Sequence, residues 1–246
     1  MFKENRNKGF ISGLILSLAL FLVAGGMGFM WNLHQHPTDP FADDTRSGKE
    51  VTLTVYDIYP EVVGEVDGGS VIYLVQYSQD GDGKFAVVEA KETDESIKKL
   101  IDQATAGTLA ENPGTLVGTQ LQPLSSNVNK SRNNRIVDLS GFLKSILDPT
   151  STVYLNMNSS VYLSLTEHSR EGWYYVIGIA IFGGLALFTL VGAFLLRRKS
   201  IASYEELYQT YPELQGNLEG IADQADFYDQ DLKVILYKNH LITYFK

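Results

Sequence analysis

The sequence predicts a membrane protein in which two transmembrane α-helices flank an extracytoplasmic α+β domain, followed by a short cytoplasmic helix and a β-hairpin. Residues 9–33 and 172–196 are two runs of 25 residues without Asp, Glu, Lys or Arg. About 20 apolar residues are enough to cross the roughly 30 Å hydrocarbon core of a bilayer. Both runs can therefore span it with some tilt. The 138 residues between them mix strand-like and helical patterns, which is the second observation behind this fold class.

The first apolar run begins like a cleavable signal peptide, with basic residues before it and small residues at 24–26. A signal peptide has an apolar region of about 7–15 residues, whereas this one continues from Phe10 to Trp31. The length favours a retained helix. Cleavage would leave a single-pass protein with the same remaining layout.

Basic residues at the outer flanks of the two runs predict that both termini are cytoplasmic, since such residues concentrate on the cytoplasmic side of membrane helices. Trp31 and the aromatic residues 173–175 lie at the opposite ends, where interfacial aromatic belts form. We therefore expect a protein of the cell (plasma) membrane. Its predicted segments are a cytoplasmic N-terminus (1–8), helix 1 (9–33), an extracytoplasmic domain (34–171), helix 2 (172–196) and a cytoplasmic tail (197–246).

Charge differs between these segments. The net charge is +2 for residues 1–8, −9 for 34–171 and −2 for 197–246, which sums to the −9 of the whole chain. An acidic outer domain argues against nucleic acid as a partner, because nucleic-acid binders present basic patches. The chain has no cysteine, so this domain must fold without disulfides. That composition suits a bacterial surface.

The predicted outer domain begins with a polar, proline-containing linker at 34–48. Strands interrupted by one or two helices then predict an α+β domain with a small mixed or OB-like sheet. The predicted strands are residues 51–56, 71–77, 85–90 and 116–121, with a closing hairpin at 153–157 and 161–165. One helix is expected after Thr93 and ends before Gly107, and a shorter one follows Ser140, with the two hydroxyl residues as N-caps.

In the tail, Tyr204, Leu207, Tyr208 and Tyr211 recur at helical spacing. They also form two Y-x-x-L units, but an amphipathic helix that covers a sheet explains the spacing better than a signalling motif. The strands 232–237 and 241–245 follow as a hairpin. A two-stranded hairpin alone is marginal in water, so we expect either further strands or a partner to pair with it.

Two stretches carry a family resemblance, residues 71–118 and 207–245. The hairpin, which follows a run of aspartates at 223–231, looks like the start of a bacterial PH-like domain. The whole layout resembles two-pass membrane proteins of Gram-positive bacteria with a small extracytoplasmic α+β domain and a PH-like cytoplasmic tail. The resemblance implies no catalytic residues. A complete PH-like domain would need several more strands and a closing helix.

Three of the four histidines lie close to the predicted outer membrane face: His34 and His36 after the first apolar run, and His168 before the second. Imidazole and carboxylate together suit zinc or a similar ion. The nearby carboxylates are Asp39, Asp43 and Asp44. However, ligands on a flexible linker have no fixed geometry, and polar residues are common beside a membrane helix. We therefore expect no metal and no other cofactor, with these histidines as the only metal-ligand candidates.

A second pattern resembles a calcium loop, because residues 78–83 (SQDGDG) place acids at the third and fifth positions and Glu89 at the twelfth. Strands flank this segment, whereas an EF-hand has helices there. Asp-Gly between strands is an ordinary hairpin turn, which is the interpretation we favour.

The predicted function is that of a two-pass, membrane-anchored binding or scaffold protein. Its outer domain would contact an envelope or protein ligand, and its tail would dock a cytoplasmic partner. No catalytic motif occurs, so no catalytic residue is predicted and we expect no enzyme. One alternative is a membrane-tethered metalloprotein or enzyme that uses the juxtamembrane histidines.

Another alternative is an accessory subunit of a membrane complex, because small residues four apart allow helices to pack closely. Such pairs in the two apolar runs are Gly9 and Gly13, Ala24 and Gly28, and Ala180 and Gly184. They predict contact between the two helices or with a protein partner in the bilayer.

Overall fold

A computed structural model describes residues 6–7, 9–42, 47–66, 68–124, 136–214, 218, 221–232 and 234–243. Residues 125–135 (SSNVNKSRNNR), whose polar and basic composition predicts a loop or an exposed helix start, lie outside these residues. The chain divides into two compact units, which we call the sheet unit and the tail unit. The sheet unit is Met27–Gly178, and the tail unit combines Met1–Gly26 with Ile179–Lys246.

Two long apolar helices, α1 (Phe10–Gln35) and α5 (Leu165–Thr210), correspond to the predicted membrane helices. By length and composition, each can cross a membrane. Helix α5 has 46 residues and is longer than expected. It continues without interruption through the tail segment that was predicted to be a separate short helix. No proline or glycine occurs between Leu196 and Thr210 to end it.

The sheet unit contains a seven-stranded mixed sheet, which confirms the mixed-sheet form of the prediction. Its spatial order is β1-β6-β7-β5-β4-β2, and β3 also pairs with β4. All described pairings are antiparallel except β5 with β7. The strands are β1 (Lys49–Val55), β2 (Asp57–Ile58), β3 (Gly64–Val66), β4 (Ser70–Ser78), β5 (Lys84–Ala90), β6 (Gly114–Leu121) and β7 (Tyr162–Ser164).

Both faces of this sheet are covered. Because successive side chains of a strand point to opposite faces, Tyr73 and Val75 enter one core while Ile72 and Leu74 enter the other. Three helices cover the faces: α2 (Glu95–Thr105), α3 (Leu139–Ile146) and α4 (Thr152–Leu155). Helix α2 packs into the first core and α3 into the second. A strand buried on both sides is apolar along its length, as β4 is.

Three local predictions are wrong. Asp94 and Asp138 cap α2 and α3 instead of Thr93 and Ser140, because each aspartate accepts a backbone N–H from the first turn of its helix. The predicted strand at 153–157 is replaced by α4, whose start is capped by the Ser151 hydroxyl. Of the predicted closing hairpin, only β7 forms a strand, and it lies in the middle of the sheet.

The tail unit has a three-stranded sheet in the order β10-β9-β8, formed by β8 (Phe227–Asp229), β9 (Val234–Tyr237) and β10 (His240–Thr243). The two-residue turn between β9 and β10 has positive φ at Lys238 and Asn239, as a tight hairpin requires. Strand β8, which the sequence did not reveal, pairs with β9. It therefore supplies the third strand that the hairpin needs.

A small core holds the tail sheet. Its buried residues are Tyr211, Leu214, Leu218, Ile221, Ile235 and Tyr237. Tyr204, Leu207 and Tyr208 of α5 pack against it. The tyrosines and the leucine therefore form the predicted apolar helical face, which packs on the tail core.

Candidate metal centre at the ends of α1 and α5

Three side chains from separate elements of the sheet unit converge: His34 in the last turn of α1, Glu50 at the start of β1, and His168 in the first turn of α5. One possible ligand atom of each lies within 4.8 Å of the others. Their side chains are 4%, 17% and 12% exposed, respectively. We call this group the His-Glu-His cluster. The three side chains are therefore largely shielded from solvent, unlike the side chains of a surface linker.

The His34 ring is held in one tautomer. Its Nε2 lies 2.9 Å from the backbone oxygen of His168. Since a carbonyl oxygen only accepts, Nε2 must carry the hydrogen, and in the neutral ring Nδ1 keeps its lone pair. That Nδ1 lies 3.6 Å from Oε1 of Glu50. A ring whose second nitrogen donates to a carbonyl is the usual arrangement of a metal-ligating histidine.

Glu50 is the centre of the cluster. Its Oε2 lies 2.5 Å from Nδ1 of His168, and its Oε1 accepts a hydrogen bond of 2.6 Å from Thr119 on β6. The two imidazole rings stack almost in parallel, with centroids 4.2 Å apart and an interplanar angle of 7°. The Tyr175 ring lies 5.6 Å from that of His34. Both histidines are thus aligned on the same carboxylate.

The electrostatics favour an ionised Glu50. Burial on its own would raise the pKa of this carboxyl, but the hydrogen bonds from His168 and Thr119 and the charges of the two histidines outweigh burial, and the pKa is lowered. The pKa of Glu171, one turn after His168 on α5, is raised by burial and by the neighbouring carboxylates Glu167 and Glu50. The cluster therefore contains one stable negative charge beside two imidazoles.

Glu50 also belongs to a polar row that crosses four strands of the sheet. The pairing register aligns Glu50 with Thr119, Thr119 with Ser164, and Ser164 with Glu89. Thr119, Ser164 and Glu89 are each no more than 2% exposed. Glu89 accepts hydrogen bonds from Ser164 and from Ser70 on β4. The row places hydrogen-bonding groups behind Glu50 and fixes its position in the sheet.

Two imidazole nitrogens and one carboxylate oxygen are a typical ligand set for zinc. With bonds of about 2.0–2.2 Å and tetrahedral angles, neighbouring ligand atoms are roughly 3.4 Å apart. The 3.6 Å between His34 and Glu50 fits this spacing, and the 2.5 Å between Glu50 and His168 is a direct hydrogen bond. An ion would replace that hydrogen bond, because a histidine nitrogen that ligates a metal carries no hydrogen.

Of the histidines considered from the sequence, the structure brings His34 and His168 together and leaves His36 outside the cluster. The Nδ1 of His36 lies 3.1 Å from the backbone oxygen of Asn32. Asp39 is paired with Lys49 at 2.8 Å. Asp43 and Asp44 lie outside the described residues.

Sequence reasoning missed Glu50. It is one of twenty acids in the predicted outer domain, and no local pattern distinguishes it. The one signal in the sequence was its position, because Glu50 lies at the start of the strand that directly follows the linker.

The segment that resembles a calcium loop is the turn of the β4–β5 hairpin. Glu89, the expected twelfth ligand, lies near the opposite end of β5, in the polar row. Gly81 and Gly83 have positive φ within this turn, which explains the glycines without an ion.

A cavity of about 580 Å³ lies at the other end of the same strands, beside Gln76 and Phe85. Ile58, Leu74, Val75 and Leu147 are among the apolar residues that line it. Because the pairing register runs from Glu89 at one end of β5 to Phe85 at the other, this cavity is separate from the His-Glu-His cluster.

The chain was compared with protein-family models, curated proteins and solved structures, and none of them matches it.

Proposed function

We propose that this chain is a two-pass, membrane-anchored binding protein of the bacterial cell membrane whose outer domain holds a divalent transition-metal ion, with zinc as the best fit. His34, Glu50 and His168 are the proposed ligands. The observation that carries the proposal is their convergence within 4.8 Å from three elements that are far apart in the chain.

The hydrogen bonds around the cluster support metal binding over an accidental polar contact. His34 is oriented by the carbonyl of His168, and Glu50 by the hydroxyl of Thr119. Such outer partners fix ring orientation and raise ligand basicity in metal sites. An ionised Glu50 also matches the deprotonated state that a carboxylate ligand of a metal ion requires.

The proposed topology places both termini in the cytoplasm and residues 34–171 outside. The basic residues before α1 and after Leu196 support this orientation, as do the aromatic residues at the opposite ends of both apolar runs. With this topology, the metal would bind where the two helices leave the bilayer. The relationship to two-pass proteins of Gram-positive bacteria is part of the same proposal.

The proposal keeps a docking role for the tail. Strand β10 has no described strand on its outer side, and Leu241 on it is 66% exposed. An unpaired strand edge readily accepts another strand. A cytoplasmic protein partner would therefore add to the sheet at β10.

The test is a metal titration of the full chain in lipid nanodiscs after removal of bound metal with a chelator. Zinc affinity is measured by competition with a chromophoric chelator, and cobalt is used as a probe because its visible absorption reports coordination geometry. We expect one equivalent of tight binding, which is lost in His34→Ala and His168→Ala and weakened in Glu50→Gln.

His36→Ala is the matched control, because it removes a neighbouring histidine that lies outside the cluster. Its affinity should equal that of the unchanged protein. Equal losses in His36→Ala and His34→Ala, or binding that survives in the His34→Ala/His168→Ala double variant, would contradict the proposal.

A further inference from the structure

The end of the apolar part of α5 carries three consecutive basic residues, Arg197, Arg198 and Lys199. Arg198 and Lys199 are exposed and Arg197 is half-buried. None of the three makes an ion pair with an acidic residue among the described residues of the chain. Three positive charges without an acidic partner among the described residues therefore adjoin a long apolar surface.

Arg197 lies over one aromatic ring and pairs with no described carboxylate. Its guanidinium carbon lies 4.6 Å from the centroid of the Phe10 ring, at the start of α1. Phe10 in turn packs edge-to-face against Phe194, with centroids 5.2 Å apart. The Nε of Arg197 is buried and has no hydrogen-bond partner in the part of the chain that the structure describes. A cation–π contact of this kind positions the side chain without neutralising its charge.

Two depressions lie on either side of Arg198. One has a volume of about 450 Å³, and its lining includes Glu205, an acid that would repel an anion. The other has a volume of about 580 Å³. Its described lining is Gly192, Leu195, Leu196, Arg198, Lys199 and Ala202. It is apolar towards Leu195 and cationic towards Lys199, and no acid is among these residues.

We propose that this second depression binds an anionic phospholipid, with the lipid phosphate between Arg198 and Lys199 and an acyl chain along Leu195 and Leu196. Arginine and lysine are the residues that bind phosphate. Basic residues that adjoin a membrane helix on its cytoplasmic side attract anionic lipids. The apolar lining explains why the ligand is a lipid and not a free phosphate. This inference rests on the proposed insertion of α5 in a bilayer and is independent of the metal site.

The experiment uses the full chain in nanodiscs of equal phosphatidylcholine and phosphatidylglycerol, followed by native mass spectrometry of the lipids that stay bound. We expect phosphatidylglycerol to be retained in preference to phosphatidylcholine. The Arg198→Gln/Lys199→Gln variant should retain at least threefold less phosphatidylglycerol, and Arg198→Lys/Lys199→Arg should retain as much as the unchanged protein.

Lys98→Gln/Lys99→Gln is the control, since it removes two exposed charges from α2 in the sheet unit. It should not alter lipid retention. Millimolar inorganic phosphate should not displace the lipid, whereas displacement would identify a simple phosphate site and overturn the proposal. Equal retention of both lipids, or unchanged retention in the Arg198→Gln/Lys199→Gln variant, would overturn it too.

Insertion is measured in the same preparations by resistance to alkaline extraction from membranes. An inserted chain without lipid preference would contradict only the lipid site. A chain that alkaline extraction removes would contradict the proposed membrane anchoring as well, and the zinc titration would still report on the His-Glu-His cluster.

Discussion

Glu50 and Glu89 lie on one polar row of the seven-stranded sheet, separated by Thr119 and Ser164, and their pKa values are displaced in opposite directions. Burial acts to raise both pKa values. At Glu50, His168, Thr119 and the histidine charges outweigh it. At Glu89, the hydrogen bonds from Ser70 and Ser164 do not, and the pKa is raised. Because their pKa values are shifted in opposite directions, the two carboxyls are suited to different roles.

The first prediction concerns Glu89 and pH. A carboxyl whose pKa is raised in the folded state contributes stability below its unfolded pKa of about 4.3. This contribution is lost as the pH rises through the raised pKa of the folded state. Relative to Glu89→Gln, the unchanged protein should therefore lose thermal stability as the pH rises above about 4.3.

Thermal unfolding of the detergent-solubilised full chain measures this difference. Glu61→Gln, at an exposed position, is the control and should follow the pH profile of the unchanged protein. A difference between the unchanged protein and Glu89→Gln that is constant with pH would contradict the prediction.

The second prediction concerns Thr119, whose hydroxyl supports Glu50 from β6. Thr119→Val keeps the shape of a side chain that is fully buried but leaves Oε1 of Glu50 without that donor. Loss of such an outer partner typically reduces metal affinity about 10- to 100-fold. The zinc competition assay should show this decrease, while Thr115→Val at an exposed position of the same strand should have no effect. Equal affinities of the two variants would count against a supporting role for Thr119.

The third prediction compares two glycines of the apolar helices. A Cβ added at Gly13 would lie 2.7 Å from Cβ of Ala193 on α5, whereas one added at Gly184 meets no atom of another described segment within 4 Å. Gly13→Leu should therefore separate α1 from α5 and lower the unfolding temperature in detergent. Gly184→Leu should leave that temperature nearly unchanged.

Gly184→Leu also tests the accessory-subunit alternative. Since the substitution spares the contacts within the chain, a smaller complex on native gels would indicate a protein partner on that face. Complexes of unchanged size in Gly184→Leu membranes would argue against a partner there.

The fourth prediction concerns the tail. Ile235 is fully buried in the tail core, and truncation of a buried isoleucine to alanine costs about 2–5 kcal/mol. Ile235→Ala should make the tail sensitive to limited proteolysis. Leu241→Lys, at the exposed edge strand, should leave the tail resistant to proteolysis and abolish crosslinks to a cytoplasmic partner. Crosslinks that persist in Leu241→Lys would reject docking at β10.

Several structural elements of this protein could be predicted from short stretches of its sequence. The two apolar helices follow from runs of 25 uncharged residues, since length and composition act within each run. The amphipathic face of Tyr204, Leu207 and Tyr208 follows from helical spacing. The final hairpin follows from two short apolar segments separated by a turn. These features depend only on neighbours in the chain, and for that reason they could be predicted.

Tertiary structure alone decided the rest. Strand β7 could not be placed between β5 and β6 from its three residues, because a short apolar segment is compatible with several partners. Glu50 meets a histidine 118 residues away only because the register of β1 with β6 and the start of α5 bring them together. Such convergence depends on packing between distant segments, and no local pattern encodes it. The sequence therefore supplied two of the three proposed metal ligands, and the fold supplied the carboxylate between them.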